Sequence, residues 1–164
     1  MLSLDDNRWE ELTSFFGESS EIPEALETWL TNVGTEEEEE VYYEYLFELY
    51  LHQLTITNAA FAIVPWLLHV CAKGETRHRL TYITHIAVVE ANRLEGGVYY
   101  NREGTIEVPE WLMSDYHEAV RKARDVASDL IKLDPSKAKE AGLLAIQPAL
   151  EGNAKLAWKQ WCPE

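Results

Sequence analysis

Hydrophobic residues recur at helical spacing in two segments near the start of the chain. Residues 5–16 and residues 21–32 each place their apolar side chains on one side of a helix. Gly17 and Gly34 follow these segments, and glycine commonly ends a helix because it accepts left-handed backbone angles. The pattern predicts a short hairpin of two helices.

A third helix is predicted over residues 36–53. It begins with the sequence of a capping box, in which the Thr35 hydroxyl accepts the backbone N–H of Glu38 and the Glu38 side chain reaches back. Residues 58–73 come next and are apolar around nearly the whole helix. This composition is typical of a helix that its neighbours enclose.

The second half of the chain continues the helical pattern. Residues 76–94 are rich in Thr, Ile and Val, but their apolar positions share one helical face and predict a helix. The glycine-flanked residues 98–108 favour a small β-hairpin or an ordered loop. Three more helices are predicted over residues 109–133, 137–150 and 153–161.

Helices of this length, joined by short turns, predict one all-α domain spanning residues 1–164. One of the helices is apolar on all sides and is interrupted by Pro65. That combination favours stacked antiparallel helix pairs over a four-helix bundle.

The middle of the chain carries a distinctive order of residues. A helix ending in His52-Gln53 leads through a short turn into an alanine-rich helix with Ala59-Ala60, Val64-Pro65, Trp66 and Leu67-Leu68. In this order, residues 41–94 resemble a segment of bacterial HEAT-like helical-repeat proteins. After His-Gln that family often has Gly-Thr-Val, where this chain has Leu54-Thr55-Ile56.

The resemblance implies a HEAT-like fold, in which antiparallel helix pairs form a right-handed α-α superhelix. It also implies a bacterial source. Some proteins of this kind are thought to act as immunity partners of bacterial toxins, and the family implies no shared catalytic residues.

The negative charge of the chain is concentrated near its start. The first fifty residues hold fifteen Asp and Glu against one Arg, whereas the remaining residues hold fourteen acids and thirteen Lys and Arg. Along the third predicted helix, Glu37, Glu40, Glu44 and Glu48 follow steps of three and four residues. Their carboxylates are therefore expected to project as one stripe.

We expect this acidic stripe, with Tyr43 beside it, to bind a basic protein partner such as a toxin, since opposite charges accelerate association. One alternative is a solvated face that keeps an aromatic-rich protein in solution. Another is a homo-oligomer, in which the acidic half of one copy meets the more basic half of a second copy.

Other classes of function have less support in the sequence. Nucleic-acid binding needs a basic stripe, whereas the basic residues of this chain are interleaved with acids. Membrane spanning needs about 20 apolar residues, and no apolar run of the chain is that long. No nucleophile, nucleotide-binding or metal-ligand motif occurs, so we expect no enzyme, no metal and no cofactor. Cys71 and Cys162 are the two cysteines, and so small a number favours a cytoplasmic location.

One enzymatic or ligand-binding alternative remains open. In it, His52, His85 and Tyr82 line a pocket on the concave side of the helical stack. A cavity lined by these three side chains would favour this alternative.

Overall fold

The structure of the chain is a computed structural model that describes residues 1–16, 19–74, 76–95, 99–101, 104–133, 135–136 and 143–161. These residues form mainly α-helices, together with two short antiparallel strand pairs. The helices are α1 (Glu21–Asn32), α2 (Glu38–Tyr50), α3 (Ala59–Lys73), α4 (Arg79–Leu94), α5 (Met113–Leu133), α6 (Leu143–Leu150) and α7 (Ala154–Trp161). The strands are β1 (Leu51–His52), β2 (Thr55–Ile56), β3 (Tyr99–Asn101) and β4 (Gly104–Ile106), with β1 paired to β2 and β3 paired to β4.

The predicted mostly helical class is confirmed, and so is the small hairpin between the fourth and fifth helices. In that hairpin β3 pairs antiparallel with β4. Helix α5 follows a 3₁₀ turn at Glu110–Leu112, and α6 and α7 lie within the last two predicted helices. Residues 96–98, 102–103 and 137–142 of these predictions lie outside the described residues.

Helix α3 lies at the centre of the core because almost all of its side chains are apolar. Among them Phe61, Ile63 and Leu67 are fully buried, and the helix packs against α4 and α5. The chain leaves α3 at Gly74, whose φ of +74° lies in the left-handed region that glycine adopts without strain. The prediction of an enclosed helix ending at this glycine is confirmed.

Helix α4 is the most widely connected element, since it packs against α3, α5, α6 and α7. It is a helix and not a strand, as its apolar spacing predicts, but it begins at Arg79 and not at Thr76. The Thr76 hydroxyl accepts the backbone N–H of His78 at 2.9 Å. Such a side-chain turn competes with the first helical turn, which explains the later start.

The prediction of an α-helix over residues 5–16 is wrong. The segment contains a 3₁₀ helix at Asn7–Glu11, and the chain is extended at Leu12. The backbone N–H of Phe15 donates to the carbonyl of Leu49 at 2.9 Å, at the end of α2. This tertiary hydrogen bond satisfies a backbone group that a helix would have satisfied locally, so the apolar spacing alone was misleading.

The capping box predicted for α2 is not formed. The Thr35 hydroxyl donates to the carbonyl of Asn32 at 2.6 Å instead of accepting the N–H of Glu38. The residue that reaches back is Glu39, whose Oε2 accepts the backbone N–H of Gly34 at 2.8 Å. Helix α2 therefore begins at Glu38, two residues later than predicted.

Helix α2 also ends earlier than predicted, at Tyr50 and not near residue 53. Strands β1 and β2 form a tight hairpin directly after it, and Gln53 and Leu54 make the turn with φ values of +49° and +63°. Both residues have a Cβ atom in the left-handed region, which costs about 1–2 kcal/mol each. Asn92 holds the turn, since its side-chain amide donates to the carbonyl of Leu54 at 3.0 Å.

Replacing Leu54 with glycine should stabilise the protein. The relief of left-handed strain, about 1–2 kcal/mol, exceeds the backbone entropy that glycine loses on folding, about 0.5–1 kcal/mol. We expect L54G to raise the free energy of unfolding by about 0.5–1 kcal/mol. Urea denaturation measures this change. G74A is the matched control with the opposite expected sign, and a lower stability of L54G would contradict the strain argument.

Candidate functional site

The outer side of α2 carries a row of carboxylates. Glu37, Glu40 and Glu44 are exposed, and the Glu48 side chain is 47% exposed. We call these four residues the acidic face. Oε2 of Glu48 lies 3.1 Å from Nδ1 of His52. Among the described residues, this is the one side-chain hydrogen bond or ion pair of the four carboxylates of the acidic face.

Tyr43 is not part of the acidic face, contrary to the sequence analysis. Its side chain is only 5% exposed, because it lies on the inner side of α2. The ring centroid of Tyr43 lies 4.4 Å from that of Tyr82, and 5.5 Å from those of Trp29 and His85. Tyr43 therefore packs α2 against α1 and α4 and is not available to a partner.

A buried carboxyl group lies beneath the acidic face. Glu39 is 1% exposed and accepts hydrogen bonds from three directions. Oε2 accepts the backbone N–H of Gly34, and Oε1 accepts the hydroxyls of Tyr82, at 2.6 Å, and Thr76. The indole N–H of Trp29 in turn donates to the Tyr82 hydroxyl at 3.2 Å. Glu39 thus connects α2 to the end of α1 and to the start of α4.

Glu39 does not stand out in the sequence, because the acids of this region are expected to be exposed. The spacing did contain a signal, since Glu39 stands four residues before Tyr43 and seven before Leu46. Both of these residues are buried, so Glu39 shares their face of α2.

Burial changes the proton affinity of the groups around Glu39. It raises the pKa of Tyr82 strongly, and the hydrogen bond to Glu39 raises it further. Burial also raises the pKa of Tyr43, and the neighbouring Tyr50 raises it further. The pKa of His85 is lowered by burial to about 4. These side chains are therefore uncharged near neutral pH, which suits internal hydrogen bonding more than acid–base catalysis.

The three residues of the alternative pocket have different surroundings. Tyr82 is buried and His85 is half-buried, and the Tyr43 hydroxyl is hydrogen-bonded to Nδ1 of His85. His52 is partly exposed and meets the Phe16 ring edge-on at 5.2 Å. Five cavities among the described residues are lined by other side chains.

Two of these cavities lie beside the acidic face and share Tyr45. The larger, about 380 Å³, runs between α1 and α2, and we call it the aromatic groove. Its lining consists of Glu21, Glu24, Ala25, Thr28, Tyr42 and Tyr45. The smaller, about 290 Å³, is lined by Phe16, Tyr45, Glu48 and Leu49. Glu48 of the acidic face therefore borders the same tyrosine that lines the groove.

Tyr45 occupies a negatively charged environment at the surface. Its side chain is largely exposed, and its hydroxyl donates to Oε2 of Glu21 at 3.1 Å. Partial loss of solvent raises the pKa of Tyr45, and Glu21 and Glu24 raise it further. Val41, one turn earlier on α2, is also largely exposed, so apolar surface and carboxylates alternate here.

The remaining candidates for chemistry are few in the described part of the chain. No group of three or more His, Cys, Asp or Glu there has the geometry to hold a metal ion. Cys71 is buried, and burial raises the pKa of its thiol to about 12, which makes it unreactive. Cys162 lies outside the described residues. None of the described helices has the length and apolar character that crossing a membrane requires.

Comparison with known proteins gives no match: no family model, no curated protein and no solved structure is significantly similar to this chain.

Removing the buried carboxyl group should destabilise the fold. Glu39→Ala leaves the buried hydroxyls of Tyr82 and Thr76 without their acceptor, and each unsatisfied buried group costs about 1–3 kcal/mol. We expect a loss of about 2–4 kcal/mol of unfolding free energy in urea. The exposed neighbour supplies the control, Glu38→Ala, with a change within about 0.5 kcal/mol. Equal effects of the two substitutions would contradict the role assigned to Glu39.

The half-buried imidazole of His85 should make stability depend on pH. His85 has a folded-state pKa of about 4 against 6.5 for an exposed histidine, so the unfolded chain binds more protons between these values. Stability is therefore complete above pH 6.5 and falls as the pH drops towards 4. The shift predicts a loss of about 2 kcal/mol between pH 7 and pH 5 that His85→Gln abolishes.

Urea denaturation of the wild type and H85Q across this range isolates the histidine, because the carboxylates are common to both proteins. The exposed His69→Gln is the control and should follow the wild type. Parallel pH profiles for wild type and H85Q would show that His85 is not the titrating group.

Proposed function

We propose that this chain is a non-enzymatic protein-binding module with a HEAT-like arrangement of helix pairs in a right-handed superhelix. In its sharper form, the proposal is an immunity-type inhibitor of the bacterial cytoplasm that presents its acidic face to a basic toxin or effector. The resemblance of residues 41–94 to HEAT-like proteins supports both parts.

The packing of the helices supports the repeat arrangement in the middle of the chain. Helices α3 and α4 form one contacting pair, and α5 and α6 form a second. Between the pairs, α3 contacts α5 and α4 contacts α6. This order of contacts is what stacked helix pairs produce. Helix α7 departs from it, since it contacts α4 as well as α6.

One observation carries the binding proposal: the acidic face is continuous with an exposed aromatic surface. Glu48 and Tyr45 line one cavity, and Tyr45 and Tyr42 line the next. Interfaces are enriched in aromatic residues, which supply most of the affinity, while carboxylates around them select a cationic partner and speed its approach. A face that served only to keep the protein in solution would not need the exposed rings.

The charge of this region has little internal compensation. The sequence of α1 and α2 contains no Lys, Arg or His. Arg77 reaches the start of α2, where its Nη2 donates to the carbonyl of Glu36, but this contact neutralises no carboxylate. In the described part of the chain, Glu40 and Glu44 form no ion pair, and Glu48 has only His52 as an ion-pair partner. Such a field attracts basic proteins over distances of about 10 Å at ordinary salt concentrations.

Reversing the charge of the acidic face should abolish steering. We expect E40K/E44K/E48K to slow association with a basic partner by at least about tenfold and to remove its salt dependence, because these carboxylates supply the attraction. The partner is first captured from a lysate of the native cell and identified by mass spectrometry. Stopped-flow mixing at low and moderate salt then gives the association rate.

A matched variant separates location from net charge. E110K/D125K/E151K makes the same change in charge at exposed positions on other elements. It should keep most of the association rate and its salt dependence. If both triple variants behave alike, or if neither differs from the wild type, the acidic face is not the binding surface. Circular dichroism confirms that each variant is folded.

A further inference from the structure

The aromatic groove contains two kinds of wall. On α2, the residues Tyr42 and Tyr45 are 37% and 52% exposed. On α1, Glu21 and Glu24 place two carboxylates along the same cavity. The groove therefore offers π faces and negative charge together, and its volume of about 380 Å³ is large enough for one long side chain.

The described residues supply no cation to the carboxylates of the groove. Among the described residues neither Glu21 nor Glu24 forms an ion pair, and the hydrogen bond that Glu21 accepts comes from the uncharged Tyr45 hydroxyl. The negative charge of the groove is therefore available to an external cation.

A guanidinium group matches this combination better than other cations. It is planar, stacks on aromatic rings and donates several N–H groups to carboxylates at the same time. An ammonium group is compact and strongly hydrated, so it would use the carboxylates but gain less from the rings. A divalent metal ion would find two carboxylates and no third ligand among the described residues.

We propose that the aromatic groove is a socket for one arginine side chain of the basic partner. The inference rests on the proposed function and extends it, because it adds a specific anchor beside the less selective acidic face. Arginine is among the residues that most often dominate the binding energy of protein interfaces.

The test compares two peptides of equal length and charge, acetylated hexaarginine amide and acetylated hexalysine amide. Titration calorimetry at low salt measures their affinity for the full chain. We expect tighter binding of hexaarginine. Y42L and Y45L should each weaken hexaarginine binding by about two- to fivefold, the contribution of one exposed cation–π contact, and should change hexalysine binding less.

Three further variants control for fold and charge. Y45F keeps the ring and removes only the hydroxyl bonded to Glu21, so it should keep the preference for arginine. Glu24→Gln should weaken hexaarginine binding more than Glu27→Gln, because Glu27 is exposed on α1 but does not line the groove.

The outcomes separate the socket from the acidic face. If both peptides bind equally, if Y42L and Y45L change neither, and if E40K/E44K/E48K removes binding, the socket is wrong and the acidic face stands. If Y42L and Y45L remove the preference for arginine, whereas E40K/E44K/E48K keeps it, the socket stands without the acidic face. If neither peptide binds at low salt, both proposals are overturned.

Discussion

The candidate binding surface depends on a single buried carboxyl group. Glu39 joins the end of α1, through Gly34, to the start of α4, through Thr76 and Tyr82. A carboxyl group in the interior is tolerated only when its oxygens are hydrogen-bonded, and here both are. Because these contacts fix the rotation of α2 about its axis, they determine that the acidic face and the two groove tyrosines point outward.

The same solution occurs a second time, on α4. Glu90 is 3% exposed and accepts two hydrogen bonds from Arg93, at 2.7 and 2.8 Å, and one from the Tyr116 hydroxyl at 2.7 Å. The hydrogen bonds to Glu90 raise the pKa of Arg93, which stays charged. Tyr116 belongs to α5, so this group ties α4 to α5 as Glu39 ties α2 to α4. Helix α4 is thus hydrogen-bonded to α2 through Tyr82 and to α5 through Glu90, in addition to its apolar packing.

Apolar spacing predicted the elements whose stability is local or comes from continuous apolar surface. The helices α1, α3, α4 and α5 and the stop at Gly74 belong to this class. It failed for residues 5–16, where the backbone N–H of Phe15 bonds across the fold to Leu49. The capping-box pattern failed for the start of α2, where the Glu39 side chain accepts the backbone N–H of Gly34. For the site, spacing identified the exposed carboxylates but placed Tyr43 among them. The groove forms only where α1 packs beside α2, and the spacing of residues along a single helix does not predict that packing.

The five consecutive glutamates at residues 36–40 show why composition alone was ambiguous. Like charges three or four residues apart destabilise a helix by about 0.2–0.5 kcal/mol per pair, and α2 is too short to be stable alone. Its stability therefore comes from the inner side, where Glu39, Tyr43 and Leu46 are buried. The packing of that side offsets the repulsion on the outer side, where the described residues pair only one carboxylate of the acidic face, Glu48 with His52. The proposal of a cationic partner rests on this uncompensated repulsion, which such a partner would relieve.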